Sequence, residues 1–107
     1  MKNLITILFI LCGFFAHAQN QVKVIHFNYK WNDRNNYNIR GLQNAKLQYA
    51  WLEEQPESVK QSITAVPVIV VIGKDGKVKG QFAADISFEI KATREEIQAL
   101  INKAGEE

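Results

Sequence analysis

Cysteine is almost missing from this sequence: its 107 residues contain one, Cys12, which lies in an apolar run near the N-terminus. From residue 13 onward there is no thiol, which excludes disulfide staples, thiolate catalysis and cysteine-ligated metal over nearly the whole chain. Histidine is scarce as well, with only His17 and His26, too few to assemble a metal cluster of imidazoles. Charge of one sign is lacking. Thirteen basic residues face eleven acidic ones, interspersed along the chain, without the basic stripe that a nucleic-acid surface shows. No apolar run approaches the roughly 20 residues a stable membrane anchor needs.

What is present begins with a leader. Met1-Lys2-Asn3 supplies a positive start, Leu4 to Phe15 is apolar apart from Thr6 and Gly13, and Ala16-His17-Ala18 has the small-x-small pattern of a signal-peptidase site. Residues 1–18 are therefore expected to be a signal peptide, with cleavage before Gln19 and a periplasmic or secreted product of residues 19–107. The alternative reading of this stretch is a buried N-terminal helix of a cytosolic protein. Acylation of Cys12 is disfavoured, since bulky Leu11 precedes it where a lipidated N-terminus has a small residue. A product of this size forms one small domain, and without disulfides its stability must come from packing.

Along residues 19–107 the pattern alternates between strands and helices. Val22 to Tyr29 carries apolar residues on both faces, as a central strand does. Asn32 to Asn38 is a polar segment with four asparagines, after which Ile39, Leu42 and Ala45 could line a short helix interrupted by Gly41. Ala45 to Leu52 alternates and reads as a second strand. Gln55-Pro56-Glu57 looks like a helix entry, with Val59, Ser62 and Ile63 on its inner face. Val66 to Ile72 is a strand buried on both faces, and Gly73-Lys74-Asp75-Gly76 marks a hairpin. Alternation from Val78 to Ile90 predicts a long fourth strand, bent or bulged near Gly80 or Ala83-Ala84. Thr93 and Glu96 form a capping box ahead of a helix whose stripe is Ile97, Leu100, Ile101 and Ala104. Helical connections imply parallel strand pairs and the hairpin an antiparallel one, so the fold class is α/β with a four-stranded mixed sheet flanked by helices.

Two stretches resemble the thioredoxin family. In Ile25-His26-Phe27-Asn28-Tyr29-Lys30-Trp31-Asn32-Asp33-Arg34-Asn35, a hydrophobic strand leads to a Trp, and Asn32 and Asn35 stand where that family has its Cys-x-x-Cys pair. Ile63-Thr64-Ala65-Val66-Pro67 followed by Val68 to Ile72 and Asp75-Gly76 is similar to the family's cis-proline segment, buried strand and hairpin. The resemblance covers residues 22–104, without the first strand and helix of full thioredoxins. It implies a thioredoxin-like fold with a cis peptide before Pro67, and His26 at the place of a buried acid.

An amide is neither a nucleophile nor a redox couple, so no dithiol or monothiol mechanism is available at Asn32 and Asn35. Thioredoxin-like chains pair an extended substrate peptide with backbone beside the cis-proline, and that needs no sulfur. The candidate binding groove is thus Trp31, Asn32, Asn35, Thr64, Ala65, Val66 and Pro67, its partner an exported protein or extended peptide. Alternatively, Asn32 to Asn36 form a polar loop that caps the next helix, and the proline preserves only the fold. No catalytic residue, cofactor or metal is expected. Asp33-x-Asn35 has the outline of a calcium loop but lacks a glycine at Asn38 and an acid at Asn44. Two further readings compete with the groove: an assembly role using the outward face of the fourth strand, and a glutathione-binding enzyme using Tyr29 or Tyr37. N-terminal sequencing of the protein recovered from the exported fraction is expected to begin at Gln19; a start at Met1 excludes cleavage.

Overall fold

The computed structural model describes residues 21–106, so the expected leader lies outside the described residues. Strand β1 (Val22–Asn28) is followed by a 3-10 segment (Lys30–Asn35) and β2 (Ala45–Trp51). A 3-10 turn (Leu52–Glu54), helix α1 (Glu57–Ser62), β3 (Val68–Ile72), β4 (Val78–Ala83) and helix α2 (Arg94–Glu106) complete the chain. The sheet order is β2-β1-β3-β4, and the strand with apolar residues on both faces, β1, is indeed internal. No described helix is long and apolar enough to cross a membrane.

Both faces of the sheet carry core. One side joins Ile25, Phe27, Val68, Val70 and Ile72 to Val59 of α1 and Leu52. The other joins Val22, Val24, Ile69 and Val71 to Ile97, Ile101 and Ala104 of α2, together with Ile39 and Leu42. Side-chain alternation along β1 and β3 divides the residues between the two layers. Each large aliphatic so buried contributes about 1.5–3 kcal/mol, which is how a domain without disulfides holds together.

Strand direction departs from the expectation in one place. β1 and β2 are parallel, but β3 runs antiparallel to β1, with Phe27 opposite Val68 and Lys23 opposite Ile72. The reason is geometric. β2 ends at Trp51 beside Asn28, and β3 starts beside Phe27, at the same end of the sheet. The connector need not travel a strand's length back, so the six residues of α1 suffice. A parallel β3 would demand a longer crossover.

Two further expectations are corrected. No helix forms around Ile39 and Leu42: Gly41 has φ +88° and Asn44 φ +67°, both left-handed, and the chain turns instead with Leu42 N–H donating to the Ile39 carbonyl. Both apolar side chains still point inward, which is what their spacing signalled. The fourth strand stops at Ala83 rather than Ile90. β3 offers no partner beyond Val68, and the Ala84 N–H makes the last rung, to the Pro67 carbonyl. Asp85 then takes the Ser87 N–H on its side chain and the Phe88 N–H on its carbonyl, closing a turn. A bulge does fall near Gly80, since Val71 pairs with Gly80 and Ile72 with Val78. The outward strand face proposed for assembly ends with the strand, at Ala83.

The hairpin and the last cap form as read. Gly73 N–H reaches the Lys77 carbonyl at 2.8 Å, with Gly76 at φ +79°, and Thr93 and Glu96 exchange backbone-to-side-chain bonds at 3.1 and 3.2 Å. At Gly41 a Cβ would meet Arg94 Nη2 at 3.2 Å in addition to the left-handed backbone. Gly41→Ala is expected to lower stability by about 1–2 kcal/mol. Urea unfolding should show an earlier midpoint at unchanged slope; an unmoved midpoint contradicts this account of the loop.

Candidate functional site

Asn28 is the last residue of β1 and is fully buried, an unusual place for an amide. Its whole hydrogen-bonding capacity is engaged. Nδ2 donates to the Asn32 carbonyl at 2.9 Å and to Asn36 Oδ1 at 2.6 Å, while Oδ1 accepts from Tyr29 N–H at 2.9 Å and from Asn32 Nδ2 at 3.2 Å. Asn32 in turn accepts from Asn35 Nδ2 at 2.7 Å. Of the expected groove residues, Asn32 and Asn35 are therefore brought together with each other and with Asn28. Asn32 is only 3% exposed and its amide is turned to the Asn28 and Asn35 side chains within the 3-10 segment. The alternative of a loop capping the next helix is not realised, since the next element is strand β2.

Trp31 lies on the opposite side of that segment and is 64% exposed. It stacks on Tyr29, with centroids 6.1 Å apart and planes 15° apart, and meets Phe88 edge-on at 5.6 Å and 84°. Phe88 is itself 46% exposed and sits at φ +63° at the turn after β4. Sequence reading placed Phe88 on the apolar face of a strand, so this aromatic partner was missed. An isolated bulky residue held left-handed is set by tertiary context and has no signal of its own in the sequence.

The peptide bond between Val66 and Pro67 is cis. Val66 belongs to the core layer against which Tyr29 packs. Pro67 is buried and Thr64 exposed. Among the described residues, Thr64, Ala65 and Val66 enter no hydrogen bond, although Pro67 bonds Ala84 through its carbonyl. This leaves a short backbone stretch with unspent donors and acceptors.

His26 occupies the other face and is 1% exposed. Its Nε2 accepts the Tyr37 N–H at 2.9 Å, and its ring packs tilted on Tyr49 at 5.0 Å. Burial disfavours the imidazolium and pushes its pKa down to about 4 from 6.5, against a smaller opposing effect of its own backbone carbonyl. The ring is thus a neutral structural acceptor, the hydrogen-bonded core histidine. The Tyr37 hydroxyl donates to the Ala92 carbonyl at 2.9 Å, so it is not free to activate a thiol. Among the described residues, no three His, Cys, Asp or Glu side chains gather as a metal site.

No protein-family model and no curated protein sequence matches the chain. Solved structures do. A designed protein superposes with TM-score 0.56 at 20% identity, over 82% of this chain and 84% of its own. A chain from a structure of the thiol-resolving mechanism of yeast mitochondrial 1-Cys peroxiredoxin via glutathione/thioredoxin systems matches with TM-score 0.56 at 22% identity. That match covers 90% of this chain and 89% of the other. The fold is thioredoxin-like. At such identities the likeness is one of architecture, and the 3-10 segment after β1 carries asparagine amides at positions 32 and 35.

The histidine yields a stability prediction. The folded thioredoxin-like domain resists a proton that the unfolded chain accepts near pH 6.5, so stability is full above that pH and falls as the solution is acidified toward about 4. The total loss is on the order of 3 kcal/mol. His26→Gln, which keeps an acceptor that does not titrate, should flatten urea-unfolding stability between pH 6.5 and pH 5. An unchanged slope in that window would sink the assignment.

Proposed function

We propose that this chain is an exported thioredoxin-like protein that binds extended peptide segments and performs no redox chemistry. One observation carries the reading: the backbone of Thr64 to Val66 has no internal hydrogen-bond partner, while Trp31 and Phe88 stand exposed against one another. An extended peptide could satisfy those backbone groups as an added strand, while an apolar side chain seats against Trp31. Exposed aromatic clusters of this kind supply most of the affinity at small interfaces.

The absence of sulfur beyond Cys12 supports the non-catalytic half of the reading. At position 32 a buried amide, bonded to Asn28 and Asn35, stands where the resemblance places the reactive group. Binding therefore falls to Trp31, Thr64, Ala65, Val66 and Pro67, with Tyr29 and Phe88 added by the structure. Asn32 and Asn35 support the segment from behind.

The test selects peptides of about seven residues from a random library against the purified protein and maps one of them by NMR. Shifts are expected at the Thr64, Ala65 and Val66 amides and the Trp31 indole. Trp31→Ala should weaken binding about tenfold or more. Shifts confined to the outer edge of β2, or binding untouched by Trp31→Ala, would defeat the reading.

A further inference from the structure

Apart from the aromatic cluster, the structure holds an open cavity of about 400 Å³ between the loop after the 3-10 segment and the end of β2. It is lined by the rings of His26, Tyr37, Tyr49 and Trp51 and by Asn36, Asn38 and Arg40, the last three exposed. The size falls within the usual range for small-ligand sites. It shares no residue with the peptide surface, and the inference does not rest on that reading.

The polar groups around this cavity are sorted in an uneven way. Each side-chain acceptor of His26, Asn36, Asn38 and Tyr49 already holds one partner. His26 Nε2 takes the Tyr37 N–H, Asn36 Oδ1 takes Asn28 Nδ2, and Asn38 Oδ1 takes the Arg40 N–H at 3.0 Å. The Tyr49 hydroxyl accepts from Ile39 N–H at 3.0 Å and donates to the Tyr37 carbonyl at 3.1 Å, and the Tyr37 hydroxyl is spent on Ala92. Arg94 bonds the Asn38 and Arg40 carbonyls, which fixes the loop from behind. The side-chain groups left over are the Arg40 guanidinium, the Asn36 and Asn38 amide N–H groups and the Trp51 indole N–H, and none has a partner among the described residues. Every one is a donor, and no carboxylate lines the cavity.

A cavity with flat aromatic walls, a cation in its lining and wholly unpartnered donor groups selects for a planar ligand rich in acceptors. The geometry points to a binding site for a small aromatic carboxylate, its ring against Tyr49 and Trp51 and its carboxylate on Arg40 with the Asn36 and Asn38 amides. Arg40 would meet the two oxygens in the fork geometry that favours guanidinium over ammonium.

The probe is 2-naphthoate at about 1 mM, a concentration suited to millimolar or tighter affinity. Its neutral counterpart 2-naphthamide has the same shape and serves as comparison. The side-chain NMR signals of Arg40, Asn36, Asn38 and Trp51 are expected to move with naphthoate, with binding about tenfold or more weaker for naphthamide. Arg40→Gln should weaken naphthoate by a similar factor, and Trp31→Ala should leave it unchanged, which separates this site from the peptide surface. Folding of Arg40→Gln is read from its amide spectrum; if it is lost, the naphthoate–naphthamide contrast on the unaltered protein decides. Equal binding of the amide, shifts at Trp31 and Thr64 to Val66 instead, or no shift at all overturns the assignment.

Discussion

A buried peptide group without a hydrogen-bond partner costs about 1–3 kcal/mol, and the chain between β1 and β2 has no regular helix beyond Asn35 to satisfy its own. Side chains from three surrounding elements do it instead. His26 and Asn28 serve from β1, Tyr49 from β2, and Arg94 and Gln98 from α2. Gln98 exchanges two bonds of 2.8 Å with the backbone of Gln43, the closest analogue here of a rung in a ladder. The rest of the architecture depends on this arrangement. It lets Ile39 and Leu42 reach the core without a helix, and it holds Asn36, Asn38 and Arg40 in the lining of a cavity.

The same constraint explains what was legible in the sequence. Strands β1 and β3 and helix α2 declare themselves because apolar periodicity and the Thr93–Glu96 cap are local properties. The false helix at Ile39 and Leu42 had correct inward spacing, but spacing cannot say whether the backbone between is helical or clamped by Arg94, 54 residues away. Strand β4 failed at Ala83 for a related reason. Alternation continues to Ile90, yet a strand needs a neighbour, and β3 is only five residues long. Of the candidate site, Trp31 was readable as a bulky residue beside a polar loop. Asn28 and Phe88 were not, because their roles come from partners distant in space or from a backbone angle that periodicity ignores.

Neutral His26 and fully bonded Asn28 sit two residues apart on one strand and point the same way along the sheet, toward the loop that follows. Both are polar groups placed in an apolar layer, tolerable only because each is saturated. Together they fix the register of the loop: the histidine holds Tyr37 and the asparagine holds Asn32 and Asn36. A hydrophobic residue at either place would pack, but it would leave the loop backbone without partners. Polar residues here specify one loop conformation where apolar ones would permit several.

Asn28 also explains how one small domain can carry two surfaces of different character. On one side its amide closes the 3-10 segment, whose outward face carries Trp31; on the other it holds Asn36 in the cavity lining. The aromatic cluster offers exposed apolar area, Trp31 edge-on to Phe88. The cavity offers donors and a cation, which suits a small anion. These chemistries do not overlap, and the buried amide separates them physically. In the 3-10 segment between the first two strands, Asn32 and Asn35 act as structural amides, bonded to Asn28 and to each other.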